Sequence, residues 1–333
     1  MTSFEEFHDE LRSVAGDLLA KDREVGWPVL VDAGWTGLEV PDELGGAGAT
    51  FAETAVILGQ IGRAASANSY LGSAALAVGV LNQVEPNALA DELYEIVAGG
   101  SGRLAVVADQ FSCSAGYLTG RTEFVPDAAG ADRLLVLVAD GVAVVPAAAL
   151  TISAQPVVDE TRRLATVVAD GAISEAVLPW RSPAAAGAIR DRAAVAIACD
   201  SLGVAEQMLT ATVEYVKVRH QFGRPIGSFQ AVKHACADML VAIEVSRQLV
   251  SEAVTAISDG TDAGVAAAMA KSYACSAAVD VAGKAMQLHG GIGYTWESGI
   301  HIYLKRAALN RSLFGSPAAQ RQTIAQRYQV KRK

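Results

Sequence analysis

The chain has 333 residues, of which 51% are hydrophobic and 19% charged, so it can bury a large core and is expected to divide into two or three domains. Its formal net charge is −9 and no run of Lys and Arg interrupts this acidic balance, which argues against a nucleic-acid partner. No apolar stretch has the character of a membrane span and the acidic start is unlike a signal peptide, so we expect a cytoplasmic protein outside the membrane.

The first part of the chain has the spacing of amphipathic helices. Apolar residues recur at intervals of three and four between positions 4 and 20. Further helices are predicted over residues 25–33 and 51–63 and in the Ala- and Leu-rich segment that runs to residue 97. Gly-rich stretches at 34–41 and 45–48 interrupt them. We therefore predict an N-terminal α-helical domain over residues 1–99.

Residues 100–180 differ in texture, because short Val-rich runs alternate there with Gly, Asp and Pro. Strands are predicted at 134–138, 142–145 and 164–168. Asp140 and Gly141 match a tight hairpin between the first two of these strands. This segment predicts a small, shortened central β domain.

Helical spacing returns after Ser182 and Pro183, which suit the first turn of a helix. Long helices are predicted from there to residue 218, from a cap at Ser228 to Ser258, and from a cap at Asp262 to residue 288, followed by helices at 300–311 and from 316. Long helices joined by short loops pack antiparallel, which predicts a four-helix bundle over residues 181–333. The expected fold class is α+β, mainly α.

Residues 219–230 join two of the predicted long helices and place Arg219 beside a Gly-rich turn. A guanidinium, turn amides and a helix N-terminus all favour an anion, so this segment suits a pyrophosphate. A solvated or ion-paired arginine is the alternative. The four cysteines lie far apart without metal-ligand spacing, so no metal site is predicted.

Three segments together resemble the acyl-CoA dehydrogenase family. Residues 219–230 resemble its "RxQFGxPIxxFQ" signature, and residues 287–294 are similar to its "QxxGGxGY" segment. Residues 34–48 resemble its "GW…PExxGGxG" turn. The resemblance implies an FAD cofactor, an acyl-CoA substrate, and a fold with an N-terminal helical domain, a central β domain and a C-terminal four-helix bundle.

In that family the signatures that correspond to residues 219–230 and 287–294 reach across a subunit interface. They hold the pyrophosphate and adenosine of a flavin that is bound mainly by the neighbouring chain. The resemblance assigns this cofactor-binding role to Arg219, Gln221, Phe222, Gln230, Gln287, Gly290 and Gly291. Packing in the core of this chain is the alternative for Phe222.

The segments that serve a chain's own flavin depart from the family pattern. Residues 107–116 stand where the family has its "TEPxAGSD" flavin cradle, and residues 122–126 replace "KxWIT", with Pro126 in place of a hydroxyl residue.

The catalytic base is also missing from its usual positions. Phe314 replaces the Glu of "YEGT", and Ala193 occupies the alternative base position 26 residues before Arg219. Asp191 is the weak candidate for a relocated base, so no catalytic residue is assigned. Asp200, in an apolar stretch, is expected to form a helix–helix hydrogen bond or ion pair, with a catalytic role as the alternative.

These departures affect functions that a chain performs for its own flavin, whereas the signatures that act across an interface persist. We therefore favour a degenerate subunit that pairs with a homologous acyl-CoA dehydrogenase chain in an α2β2 heterotetramer. It resembles the paired enzymes that actinobacteria use on bulky, steroid-type CoA thioesters, with an electron-transfer flavoprotein as a candidate further partner. The alternatives are a homotetrameric dehydrogenase with a relocated base and a non-redox acyl-CoA-binding or scaffold protein.

Overall fold

The computed structural model describes residues 2–109 and 111–329. The chain forms two compact units, which are described separately. The first comprises the described parts of residues 1–23, 55–66 and 194–333, and the second comprises 24–54 and 67–193. The division into three domains stays a prediction.

The described helices agree in position with most of the helical predictions. They are α1 (Thr2–Leu19), α2 (Trp27–Asp32), α3 (Phe51–Ala64), α4 (Ala77–Leu81), α5 (Ala88–Gly99), α6 (Ala185–Val218), α7 (Gln230–Ser258), α8 (Gly264–His289), α9 (Ile300–Ser312) and α10 (Pro317–Gln329). A wider helical turn, Leu71–Leu76, runs directly into α4. None of the described helices is both long and apolar enough to span a bilayer.

The first unit is organised around a four-helix bundle, as predicted. Its core contains Met208 of α6, Ile243 of α7, Ala282 of α8 and Ala307 of α9. The last helix, α10, packs against α8. Many buried residues of α8 are alanines, which let neighbouring helices approach closely.

The second unit contains two four-stranded sheets. The strands are β1 (Leu104–Val107), β2 (Ser112–Ser114), β3 (Tyr117–Pro126), β4 (Arg133–Val138), β5 (Gly141–Pro146), β6 (Thr151–Gln155), β7 (Leu164–Ile173) and β8 (Ala176–Pro179). One sheet has the order β1-β4-β5-β8 with β1 and β4 parallel, and the other has the order β2-β3-β7-β6 and is antiparallel. Leu118, Val136, Val145 and Val167 belong to one shared core.

The predicted strands at 134–138, 142–145 and 164–168 lie within β4, β5 and β7, and the predicted small β domain is confirmed as a β-sandwich. The sequence did not reveal β3, because its apolar residues do not alternate regularly with polar ones and positions 119–123 contain no apolar side chain. β3 pairs antiparallel with β7, with Thr122 opposite Val167.

Candidate functional site

Residues 220–225 form a tight hairpin between α6 and α7, and a 3-10 turn at Ile226–Ser228 follows it. Strand β9 (His220–Gln221) pairs antiparallel with β10 (Arg224–Pro225). The turn residues Phe222 and Gly223 have φ values of +51° and +76°, the left-handed backbone of a two-residue hairpin turn. Phe222 is 90% exposed, so packing of this ring in the core of the chain is excluded.

Two arginines of the hairpin have different surroundings. The Arg224 guanidinium lies 4.1 Å from the ring centre of Phe229, a cation–π contact within the chain. Arg219 is exposed, and no side-chain hydrogen bond or ion pair engages its guanidinium among the described residues. The side chains of Gln221 and Gln287 are also exposed and form no side-chain hydrogen bond among the described residues. These groups are available to a ligand.

Helix α7 begins directly after the hairpin without a side-chain cap. The predicted cap at Ser228 is wrong, because its hydroxyl donates to the Pro225 carbonyl at 2.7 Å and Phe229 takes the N-cap position. Gln230, the first residue of α7, is exposed, and its amide nitrogen lies 3.5 Å from a ring nitrogen of His234. The first amides of α7 therefore keep the partial positive charge of an uncapped helix N-terminus.

The second segment begins where α8 ends at His289. Gly290 has φ +62° and ψ −143°, a backbone conformation that side-chain-bearing residues rarely adopt. At Gly291 an added Cβ would meet no atom within 4 Å, so packing inside the described chain does not explain a glycine there. Both glycines are exposed, and a bare backbone of this kind suits the close approach of a ligand.

Tyr215 of α6 and His289 of α8 join the two segments. Their rings stack with 4.3 Å between centroids and 21° between planes. The Tyr215 hydroxyl donates to the His289 carbonyl at 3.3 Å. Because the Arg219 N–H bonds to the Tyr215 carbonyl and Gly290 follows His289, the roots of the two segments lie together. Residues predicted from separate motifs are thus brought to one end of the bundle.

Sequence comparisons with known proteins identify the family of the chain. The profile for "Acyl-CoA dehydrogenase, N-terminal domain" matches residues 4–85, and that for "Acyl-CoA dehydrogenase, C-terminal domain" matches residues 187–329. The acyl-CoA dehydrogenase IpdE2 of Mycobacterium tuberculosis strain H37Rv is 38% identical over 316 residues, which cover 90% of this chain and 86% of IpdE2. The chain belongs to the acyl-CoA dehydrogenase family.

Solved structures of similar proteins confirm the acyl-CoA dehydrogenase fold. A chain of the Tcur3481–Tcur3483 steroid ACAD superposes with a TM-score of 0.89 at 28% identity, over 98% of this chain and 99% of that one. A chain of the ChsE4–ChsE5 complex from Mycobacterium tuberculosis gives 0.88 at 24% identity, over 98% of both chains. The predicted fold class, mainly α with a small β part, is therefore confirmed.

The two positions at which the family resemblance places a catalytic base carry no carboxylate. Ala193 is fully buried within α6. Phe314 has φ +55°, and its carbonyl accepts a hydrogen bond from Gln320 at 3.1 Å. Asp191 is half-buried and already engaged in an interaction. Neither Ala193 nor Phe314 has a group that accepts a proton. That this chain supplies no catalytic residue remains a prediction.

The segment in place of the family's flavin cradle includes the end of β1, strand β2 and the turn that precedes β3. Phe111 is buried in the sandwich core, and its N–H bonds to the Leu137 carbonyl at 2.9 Å. Ala115 and Gly116 have φ values of +50° and +82° and turn β2 into β3. Gln110, also in this stretch, lies outside the described residues. Phe111 therefore serves the packing of this chain, whereas Ser112, Ser114 and Ala115 are exposed.

The segment in place of "KxWIT" is also engaged within the chain. The Thr122 hydroxyl donates to the Asp109 carboxylate. The pairing of β3 with β7 shifts register between Thr122 and Val125, which marks a bulge. Pro126, at the end of β3, has no backbone N–H and cannot donate a hydrogen bond to a flavin.

Asp127 is a buried carboxyl that the sequence did not single out. Burial raises its pKa to about 6, and the Gly72 N–H, which donates to Oδ2 at 2.8 Å, opposes that rise. A raised carboxyl pKa is a common mark of functional sites. Here the bond to Gly72 gives Asp127 a structural role, since it holds the first turn of the Leu71–Leu76 segment.

The expectation of a buried ion pair at Asp200 is confirmed. Its carboxylate accepts from Nε and Nη2 of Arg306 at 2.9 and 2.6 Å. Asn310 donates a further hydrogen bond at 2.7 Å. These partners explain Asp200 as part of the bundle interior, and it is not needed as a catalytic group.

Proposed function

We propose that this chain is a subunit of an FAD-dependent acyl-CoA dehydrogenase that holds the pyrophosphate and adenosine of a flavin bound mainly by a homologous partner chain. The flavin supplies the hydride acceptor for α,β-dehydrogenation of a CoA thioester. One contrast carries the proposal. The exposed Arg219 and the bare Gly291 remain, whereas the family's cradle residues are absent from 107–116 and the two base positions hold Ala193 and Phe314.

The open groups fit the anionic part of such a cofactor. Arg219 presents a guanidinium with no partner among the described residues, and the uncapped start of α7 adds positive charge at the end of the hairpin. Gly290 and Gly291 offer backbone that a ligand can approach closely. We assign Gln221, Gln230 and Gln287 to hydrogen bonds with the same group and the Phe222 ring to its adenosine.

Exposed apolar side chains beside both segments support a covering partner. They are Val218, Phe222, Ile292, Tyr294 and Trp296. Large apolar side chains grouped in this way on a surface mark protein interaction sites. A homologous subunit that brings a flavin to Arg219 covers these residues as well, in a cytoplasmic α2β2 heterotetramer.

The substrate class is proposed from similarity. One solved structure with this fold is a steroid ACAD at 28% identity. We propose a bulky, steroid-derived CoA thioester as the substrate and an electron-transfer flavoprotein as the electron acceptor. Phe314 and Ala193 leave the removal of the substrate's α proton to the partner chain.

Co-expression tests the division of labour. The chain purified alone is expected to be colourless, and its complex with a full-length homologous subunit is expected to hold one FAD per heterodimer and to oxidise acyl-CoAs with a dye as acceptor. Absorbance of the purified proteins near the flavin bands measures occupancy. A yellow, active homo-oligomer would replace this proposal by a self-sufficient dehydrogenase, and a stable colourless complex would replace it by a scaffold.

The Arg219→Ala variant of the complex is expected to lose flavin. Removal of one charge-assisted contact weakens binding by roughly 1.5–3 kcal/mol, about 10- to 150-fold in the dissociation constant. Flavin fluorescence released on dilution measures this constant. Arg224→Ala is the matched control, because it removes the same charge from a guanidinium that stacks on Phe229. Equal losses from both variants would show a general charge effect and remove Arg219 from the site.

The Gly291→Ala variant separates ligand binding from folding. Since an added Cβ there meets open space, the free energy of unfolding of the isolated chain should change by less than about 0.5 kcal/mol. In the complex, the methyl group blocks the close approach of the cofactor, and retention should fall about tenfold. Gly283→Ala, at an equally open position within α8, is the control and should retain flavin. Full retention by Gly291→Ala would contradict a close contact at this glycine.

A further inference from the structure

We propose that Tyr215 is a positioning residue for the flavin contacts, acting through its stack on His289. This inference rests on the proposed function. It adds how the separation between the Arg219 hairpin and the Gly290–Gly291 turn is fixed. Tyr215 precedes Arg219 by one helical turn, and the Arg219 N–H donates to its carbonyl at 2.9 Å. The Arg219 carbonyl in turn accepts from Ile226 at 2.7 Å, which fixes the root of the hairpin to the end of α6.

His289 is held firmly enough to serve as the other half of the contact. Its ring is buried, and Nδ1–H donates to the Ala285 carbonyl at 2.8 Å. The following turn folds back on it, because a Cβ at Gly293 would lie 3.1 Å from the His289 Cβ and 2.6 Å from the Met286 carbonyl oxygen. The imidazole therefore has a fixed orientation at the end of α8.

The Tyr215 hydroxyl also stabilises the end of α8. The last carbonyl groups of a helix lack partners within the helix, and the hydroxyl donates to one of them, at His289. The ring stack and this hydrogen bond together set the separation between the Arg219 hairpin and the Gly290–Gly291 turn. Both segments are otherwise exposed, and a ligand that touches both binds more tightly when their separation is fixed beforehand.

Hydrogen exchange of the isolated chain tests the mechanical part of the proposal without any flavin. Tyr215→Leu removes the stack and the hydrogen bond, whereas Tyr215→Phe removes only the bond. We expect Tyr215→Leu to raise amide exchange about tenfold in both 219–226 and 290–294, with a smaller rise for Tyr215→Phe. Tyr273→Leu on α8 is the matched control and should leave both segments unchanged. Unchanged exchange at 290–294 in Tyr215→Leu would overturn the proposal.

A double-variant cycle in the co-expressed complex tests the link to the cofactor. Tyr215→Leu should raise the FAD dissociation constant about tenfold and Tyr215→Phe about threefold, from the lost stack and hydrogen bond. In an Arg219→Ala background the Tyr215→Leu effect should fall below about threefold, because the guanidinium that Tyr215 positions is gone. Equal effects in both backgrounds would assign Tyr215 a merely structural role and overturn the proposal.

The two experiments also separate this inference from the proposed function. If Arg219→Ala alone leaves flavin retention unchanged, the proposed flavin contact fails, and Tyr215 as a positioning residue for it fails too. If Arg219→Ala weakens retention but the cycle shows no coupling, only the positioning role fails. Thermal unfolding of each variant establishes that the bundle remains folded during both measurements.

Discussion

Asp200→Ala is expected to destabilise the helical bundle by about 3–5 kcal/mol, as removal of one partner from a buried ion pair does. The Asp200 carboxylate and the Arg306 guanidinium are both fully buried. Without Asp200 the guanidinium keeps a hydrogen bond to the Ser66 carbonyl at 2.8 Å but loses its counter-charge. An uncompensated charge inside a low-dielectric core dominates the loss, which exceeds that of the missing hydrogen bonds alone.

Chemical denaturation followed by circular dichroism measures this effect. Asp238→Ala is the matched control, because that carboxylate faces Lys284 at 3.8 Å on the exposed surface of the same bundle and contributes little. The double variant Asp200→Ala with Arg306→Met should recover part of the stability, since it leaves no buried charge unpaired. If Asp200→Ala behaves like Asp238→Ala, the buried pair does not hold the bundle together.

The network around Asp200 shows what a sequence pattern can and cannot predict. A carboxylate among Ala, Val and Ile residues requires a partner, so an ion pair or hydrogen bond at Asp200 follows from its neighbours. Its partner Arg306 is 106 positions away on a different helix, and local periodicity contains no information about that pairing. Tyr215 and His289 were missed for the same reason, because only the packing of α6 against α8 brings them together.

Local backbone chemistry was more accessible to prediction. Gly223 has the positive φ of a hairpin turn and Gly290 the positive φ of a helix end, and glycine marks both kinds of turn directly in the sequence. Ser228 shows the limit of this reasoning. A serine hydroxyl before a helix can accept from the helix or donate backwards to a carbonyl, and here it donates to Pro225.

The sequence predicts the cradle and base positions only in part. The sequence shows that the family's residues are absent from 107–116 and from positions 193 and 314. It does not show where the replacing side chains lie, because burial of Phe111 between two sheets is a property of the folded sandwich. The structure adds that Phe111 packs in the sandwich core, whereas Ser112 and Ser114 of the adjoining strand are exposed.

The second large effect is expected at Glu39, in the segment that resembles the family's N-terminal turn. The Glu39 carboxylate accepts from Nη1 of Arg192 at 2.9 Å and also from Nη2, and both side chains are buried. Nε of Arg192 donates to the Ala75 carbonyl at 2.8 Å, and the guanidinium lies 4.4 Å from the Phe51 ring centre. An ion pair, a backbone hydrogen bond and a cation–π contact therefore surround the buried Arg192 charge.

Glu39→Ala should therefore lower the free energy of unfolding by about 3–5 kcal/mol, because it leaves the Arg192 charge buried without a partner. Glu39→Gln should have a smaller effect, since its amide oxygen still accepts a hydrogen bond. Glu43→Ala, an exposed carboxylate four residues later, is the control. Denaturation measures the loss, and hydrogen exchange should rise in 71–81, where Arg192 holds the Ala75 carbonyl. Equal stability of Glu39→Ala and Glu43→Ala would show that Arg192 is stabilised by its aromatic and backbone contacts instead of by the ion pair.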